Sequence, residues 1–181
     1  IHDMSFYRFP DSFPLKDRFL LQKLIPWSAR SADRVLTGSA SSCRDIIEIC
    51  KVAADRVAVI PYGVDDHFQP VREASVIEAM CDDLGIRQPY LLFVGVLQPR
   101  KNLTRLLQAY QRVRTSKPQI PDLVIAGKRG WMEKEIFEAV ETLALSGSVK
   151  FVDHVPDEML TALYSGAKLL VYPSLYEGFG L

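Results

Sequence analysis

The chain has 181 residues, 48% of them hydrophobic and 24% charged, enough to bury a core and to build one or two domains. Lys plus Arg and Asp plus Glu both number 22, so the basic footprint expected of a nucleic-acid-binding protein is absent. No apolar run approaches the ~20 residues that span a bilayer, and no charged segment followed by an apolar one marks secretion.

Taken in chain order, short β-branched or leucine-rich runs alternate with helical patterns. The strand-like runs are 34–38, 57–61, 90–95, 122–127, 149–152 and 168–172. Amphipathic stripes fall between them at 41–52, 72–84, 103–116, 132–145 and 157–165, and Leu103, Leu106, Leu107, Tyr110 and Val113 form the clearest one. Asn102 stands where a helix N-cap belongs, as does Asp157 after Pro156. Near-continuous apolar strands separated by helices predict an α/β protein with parallel, doubly wound sheets. Turn formers over 62–70 interrupt the pattern and mark a boundary between residues 1–62 and 63–181.

Three cysteines, Cys43, Cys50 and Cys81, lack Cys-x-x-Cys spacing and are odd in number, so they read as small apolar core residues. His2, His67 and His154 show no metal-ligand spacing; His67 and His154 lie in loops and read as ordinary polar residues. Trp27 and Trp131 read as packing anchors, and Glu133, Glu135, Glu138, Glu141, Asp157 and Glu158 as solvated surface. Gly127-Lys128 is not a P-loop, because no glycine stands five residues earlier and Arg129 occupies the Ser/Thr place.

Two segments can carry chemistry. In the first, a strand ends at Gly95, a short loop carries Arg100 and Lys101, and a helix begins near Asn102. Two cations beside a helix N-terminus suit an anion such as a nucleotide diphosphate, Arg100 as a bidentate donor and Lys101 as a point charge. A solvated basic loop is the plain alternative. In the second, the apolar run Leu169–Tyr172 reads as a buried strand that leads into Pro173-Ser174-Leu175-Tyr176-Glu177-Gly178-Phe179-Gly180. One carboxylate among glycines that expose backbone N–H groups suits a neutral ligand covered in hydroxyls, that is, a sugar.

The second segment resembles the first half of the glutamate motif of retaining GT-B glycosyltransferases, glycosyltransferase family 4 (glycosyl transferases group 1). Blocks in the same order support the resemblance: His2-Asp3, Ala32–Ser39, Val59–Asp65 followed by Phe68 and Pro70, Phe93–Leu103, Leu123–Trp131 and Val149–Pro156. Lys101 and Asn102 match the family's strand-end loop, whereas Val96 stands where many members carry arginine. In the family a second glutamate follows eight positions after the first, past Leu181 here. The resemblance therefore implies a GT-B piece shortened at both ends and inactive by itself. Residues 1–62 would be the remnant of an acceptor-side Rossmann-like domain, and 63–181 part of the nucleotide-sugar-binding one.

The resemblance also implies a function. A nucleotide sugar would donate a hexose to a glycan or lipid-linked acceptor with retention at the anomeric carbon, without a metal, cofactor or protein nucleophile. Catalytic roles would fall to His2, Lys101 and Glu177. Gly95, Arg100, Lys101, Gly127, Lys128, Glu177, Gly178, Phe179 and Gly180 would bind the donor. The Pro-Arg-Lys-Asn and Gly-x-x-Gly-Trp combination looks most like mannose-transferring members, so GDP-mannose leads and a UDP-sugar follows. The expected setting is cytoplasmic polysaccharide biosynthesis, with peripheral contact at the inner membrane through segments outside this chain. A non-catalytic nucleotide- or sugar-phosphate-binding Rossmann module is the rival reading, and a GT-B epimerase or phosphorylase a second.

Overall fold

The fold is that of a computed structural model, which describes residues 1–131 and 133–180. Met132, the expected first residue of a helix, and Leu181, the last of the glutamate segment, lie outside the described residues. The chain forms two compact units, Ile1–Val64 joined by the closing segment from Leu175, and Asp65–Ser174. The sequence placed that closing segment with the second domain. It clusters with the first instead, because Tyr176 and Gly178 find their hydrogen-bond partners there.

The first unit is built on two short parallel strands, β1 (Val35–Thr37) and β2 (Val57–Val59), with Val35 paired to Val57. Helices α1 (Ser5–Arg8), α2 (Leu15–Ser31) and α3 (Ala40–Cys50) surround them, and Met4, Phe6, Ala29, Val35, Ile46 and Cys50 make the core. Ser39 caps α3, its hydroxyl accepting from the Ser42 N–H at 3.1 Å. Helix α2 was not expected. Pro26 interrupts its interior, and its apolar residues do not keep to one stripe. Pro26 cannot donate to the Gln22 carbonyl one turn back, and the Tyr7 hydroxyl donates to that carbonyl at 3.0 Å instead. Trp27 is no packing anchor: it points outward and is 63% exposed.

The second unit is a four-stranded, fully parallel sheet of order β5-β4-β3-β6. Its strands are β3 (Tyr90–Val94), β4 (Asp122–Ala126), β5 (Val149–Val152) and β6 (Ala167–Leu170). The period-two alternation of each strand divides the core into two layers. Phe93, Leu123, Ile125 and Val149 face helices α5 (Leu103–Ser116) and α6 (Lys134–Thr142), while Tyr90, Leu92, Val124, Ala126 and Val152 face α4 (Ala74–Leu84) and α7 (Asp157–Gly166). The chain winds outward from β3 through β4 to β5, then crosses back to lay β6 on the other side of β3. That reversal is a topological switch point, where the loops leaving neighbouring strands part and open a crevice at their carboxyl ends.

Local details differ from the expectation. The apolar run at 168–172 is an edge strand, with Leu169 and Leu170 about half exposed, because only β3 pairs with it. Asn102 sits at the N-cap position of α5 but in the left-handed region at φ 59°, and its side chain makes no capping bond. Pro156, not Asp157, precedes α7, and Asp157 with Glu158 supplies negative charge to its first turn.

Candidate functional site

Beyond β3 and β4 the backbone stays paired. Gly95 N–H donates to the Ala126 carbonyl at 2.9 Å, and Leu97 N–H to the Lys128 carbonyl at 3.0 Å. Loops 95–97 and 127–130 thus run side by side past the strand ends, and close approach dictates their glycines. A Cβ on Gly127 would overlap the Gly95 carbonyl oxygen, and one on Gly130 the Leu97 carbonyl oxygen. Gly95 and Gly127 also stand at φ 153° and 146°, where L side chains are strained.

These loops wall a crevice of about 200 Å³, whose lining includes Gly95, Gly127, Lys128, His154, Asp157 and Leu160. Lys128, His154 and Asp157 are exposed there. His154, read from sequence as an ordinary loop residue, shares a crevice with two expected donor-binding glycines. Its position just past the end of β5 was a signal for it.

The turn Pro99–Lys101 places the two expected cations differently. Arg100 is half-buried, while Lys101 is only 8% exposed. The Lys101 stem passes beneath Gly95, its Cε 3.8 Å from where a Cβ would stand. Its ammonium donates to the Tyr172 hydroxyl and lies 4.7 Å from the centre of that ring. Tyr172 in turn stacks on Phe93, with centroids 5.6 Å apart and planes within 13°. The Asn102 amide donates to the Pro173 carbonyl at 3.1 Å. Side chains following β3 therefore bind the segment following β6 across the switch point. The structure brings Gly95, Lys101, Gly127 and Lys128 to the carboxyl ends of one sheet.

The remaining expected site residues belong to the first unit. Gly178 packs directly on the His2 backbone, where an added Cβ would fall 2.5 Å from the His2 carbonyl oxygen. The Gly178 carbonyl accepts from the hydroxyls of Ser39 and Ser42, and Ser42 also donates to the His2 carbonyl at 3.1 Å. His2 Nδ1 and the Tyr62 hydroxyl share a hydrogen bond at 2.6 Å, and Phe179 meets the Tyr62 ring edge-on at 5.2 Å. His2, Gly178 and Phe179 are thus gathered around Tyr62 and the N-terminus of α3, with half-buried Glu177 next in the chain and exposed Gly180 after it.

Tyr176, which sequence reasoning did not single out, anchors this segment. Its hydroxyl donates to Asp45 Oδ2 at 2.5 Å, and burial first, then Asp45, pushes its ionisation up. The other Asp45 oxygen accepts from Arg8 at 2.5 and 3.0 Å. Among the described residues no group of three His, Cys, Asp or Glu is placed to hold a metal ion.

Comparison with known proteins converges on one family. The family model described as Glycosyl transferases group 1 matches residues 78–181, and that described as Glycosyltransferase Family 4 matches residues 1–68. The O-antigen chain mannosyltransferase B of Escherichia coli is 35% identical over 181 residues, 99% of this chain and 47% of that protein. The MMP alpha-(1->4)-mannosyltransferase of Mycolicibacterium hassiacum is 34% identical over 155 residues, 84% of this chain and 34% of that protein. The chain spans about half or less of the length of these curated relatives. Among solved structures, Anabaena HepE in complex with UDP and glucose superposes with a TM-score of 0.75 at 22% identity, over 94% of this chain and 45% of that one.

Proposed function

The chain belongs to the glycosyl transferases group 1 family, and on that premise we propose that the protein is a retaining glycosyltransferase moving mannose from GDP-mannose to a glycan or lipid-linked acceptor. The observation that carries the reading is the pair of strand-end loops, where Gly95 and Gly127 line a crevice and the buried cation Lys101 passes beneath Gly95. Glycine backbone lining a crevice lets a diphosphate approach closely, and fixed positive charge nearby stabilises a departing nucleotide diphosphate. Tyr172 holds the Lys101 ammonium, so little reorganisation is needed when charge develops. Arg100 and Lys128 supplement it.

In this reading Glu177 and the backbone N–H groups of Phe179 and Gly180 hold sugar hydroxyls, and His2 contacts the sugar near its reacting carbon. The acceptor hydroxyl attacks from the face the nucleotide leaves, without a protein nucleophile and without a metal. The names of the relatives favour mannose. HepE is crystallised with UDP and glucose, which keeps a UDP-sugar as the second donor.

Calorimetric titration of the full-length protein with GDP, UDP, GDP-mannose and UDP-glucose tests the donor. Saturable binding of GDP and GDP-mannose is expected, and preference for UDP and UDP-glucose would replace mannose with glucose. Lys101→Ala should lower turnover by ~10²–10³ at saturating donor through lost charge stabilisation. Unchanged turnover removes Lys101 from that role. Proton NMR of the product should show the donor's anomeric configuration, in the presence of EDTA as in its absence.

A further inference from the structure

Helix α3 carries a row of polar side chains three residues apart: Ser39 at its cap, then Ser42, Asp45 and Glu48. Residues at that spacing are neighbours on a helix surface. Ser42 is fully buried and Asp45 is 8% exposed. A buried hydroxyl or carboxylate costs free energy unless it finds partners. Here those partners include both chain neighbours of Glu177.

On one side of Glu177 the Tyr176 hydroxyl donates to Asp45 Oδ2 at 2.5 Å. On the other side the Gly178 carbonyl accepts from the hydroxyls of Ser39 and Ser42. Ser39 works twice, since the same oxygen that gives its proton to Gly178 accepts the Ser42 N–H. Asp45 is itself fixed, because its other oxygen accepts from Arg8 Nε and Nη2, and Arg8 Nη2 also reaches Glu48 Oε2 at 2.5 Å. A hydroxyl bonded to a carboxylate that a guanidinium already holds is charge-assisted, and shielding from water strengthens it. The Tyr176 ring adds an apolar contact with Phe9, centroids 5.8 Å apart. The Ser42 hydroxyl also spans the His2 and Gly178 carbonyls, at 3.1 and 3.3 Å. One side chain therefore sets the spacing between two backbone segments, each bearing a residue assigned above to the sugar.

We propose that Tyr176, Asp45 and Ser42 are positioning residues for sugar recognition, with the polar row of α3 as the template that holds Glu177 and His2 at the transferred sugar. The inference rests on the reading that Glu177 holds sugar hydroxyls. These residues act through Glu177 and His2 and leave the grip on the nucleotide alone. A displacement of ~1 Å at such a contact is enough to matter, which is why a rigid second layer is needed.

Calorimetric titration of the full-length protein with GDP and with GDP-mannose (UDP and UDP-glucose should that pair be preferred) separates the sugar's share of affinity from the nucleotide's. Glu177→Ala should weaken binding of the nucleotide sugar and spare that of the nucleotide. Tyr176→Phe removes one hydroxyl and should follow the same pattern, with a loss of roughly 10-fold for the nucleotide sugar. In the Glu177→Ala background the same change should cost nothing further, because its effect passes through the missing carboxylate. Ser42→Ala should again weaken only the nucleotide sugar, and it decides the matter if Tyr176→Phe fails to fold. Wild-type affinity for the nucleotide sugar in Tyr176→Phe overturns the proposal while Glu177 keeps its role. So does a full additional loss in the Glu177→Ala background, or a parallel loss of nucleotide and nucleotide sugar, which marks a merely structural contact. A Glu177→Ala variant that binds the nucleotide sugar as the wild type does overturns the sugar role of Glu177 and the positioning built on it.

Discussion

A methyl group at Gly127 has nowhere to go, because its Cβ would overlap the Gly95 carbonyl oxygen and the backbone there stands at φ 146°. Gly127→Ala should therefore cost about 2–3 kcal/mol in urea unfolding, whereas Gly147→Ala, with open space around it, should cost far less. Burial raises the ionisation of the Cys50 and Cys81 thiols above the ordinary 9.0. Half-buried Cys43 should react with a thiol reagent at pH 8 before either, and both others only as the chain opens. The unfolded thiols ionise first, so this contribution is intact below pH 9.0 and falls above it. Lys101 was legible as a candidate cation from its place after a strand-end glycine. Its burial under Gly95 and its contact with Tyr172 were not, because that partner lies 71 residues away along the chain. Asn102 misled for a related reason, since its amide is drawn to the Pro173 carbonyl and away from the helix it precedes.

Among the elements, α5 was legible because its buried residues Leu103, Leu106, Leu107 and Tyr110 recur at helical spacing on one side. Helix α2 was hidden by Pro26 and by apolar residues on its outer face as well as its inner one. Its middle turn contains a testable exchange. The Gln22 carbonyl, left without a helical donor by Pro26, takes the Tyr7 hydroxyl. Tyr7→Phe should destabilise by ~1 kcal/mol, reduced where water reaches the half-open site. In the Pro26→Ala background the same change should cost less, because the restored backbone N–H supplies the carbonyl; a double-mutant cycle by denaturant melts reads the difference.

For the whole molecule, the alternation of strands and helices announced parallel α/β architecture, and the strand order could not be read because crossover back to β3 leaves no local trace. The second unit has a four-stranded sheet covered on both faces, and the first has two short strands and one core cluster. Hydrogen exchange should follow that contrast, with amides of 90–94 and 122–126 outlasting those of 35–37 and 57–59. Equal protection in both would show that they open as one. The zippered loops 95–97 and 127–130 also bear on how such a protein can be re-engineered. Each loop is the mould in which the other is cast, so a graft of one alone leaves a carbonyl facing a misfit backbone. Changes to these loops should be transplanted by moving both together, and libraries that vary them as a single cassette should yield more folded members than libraries that vary either by itself.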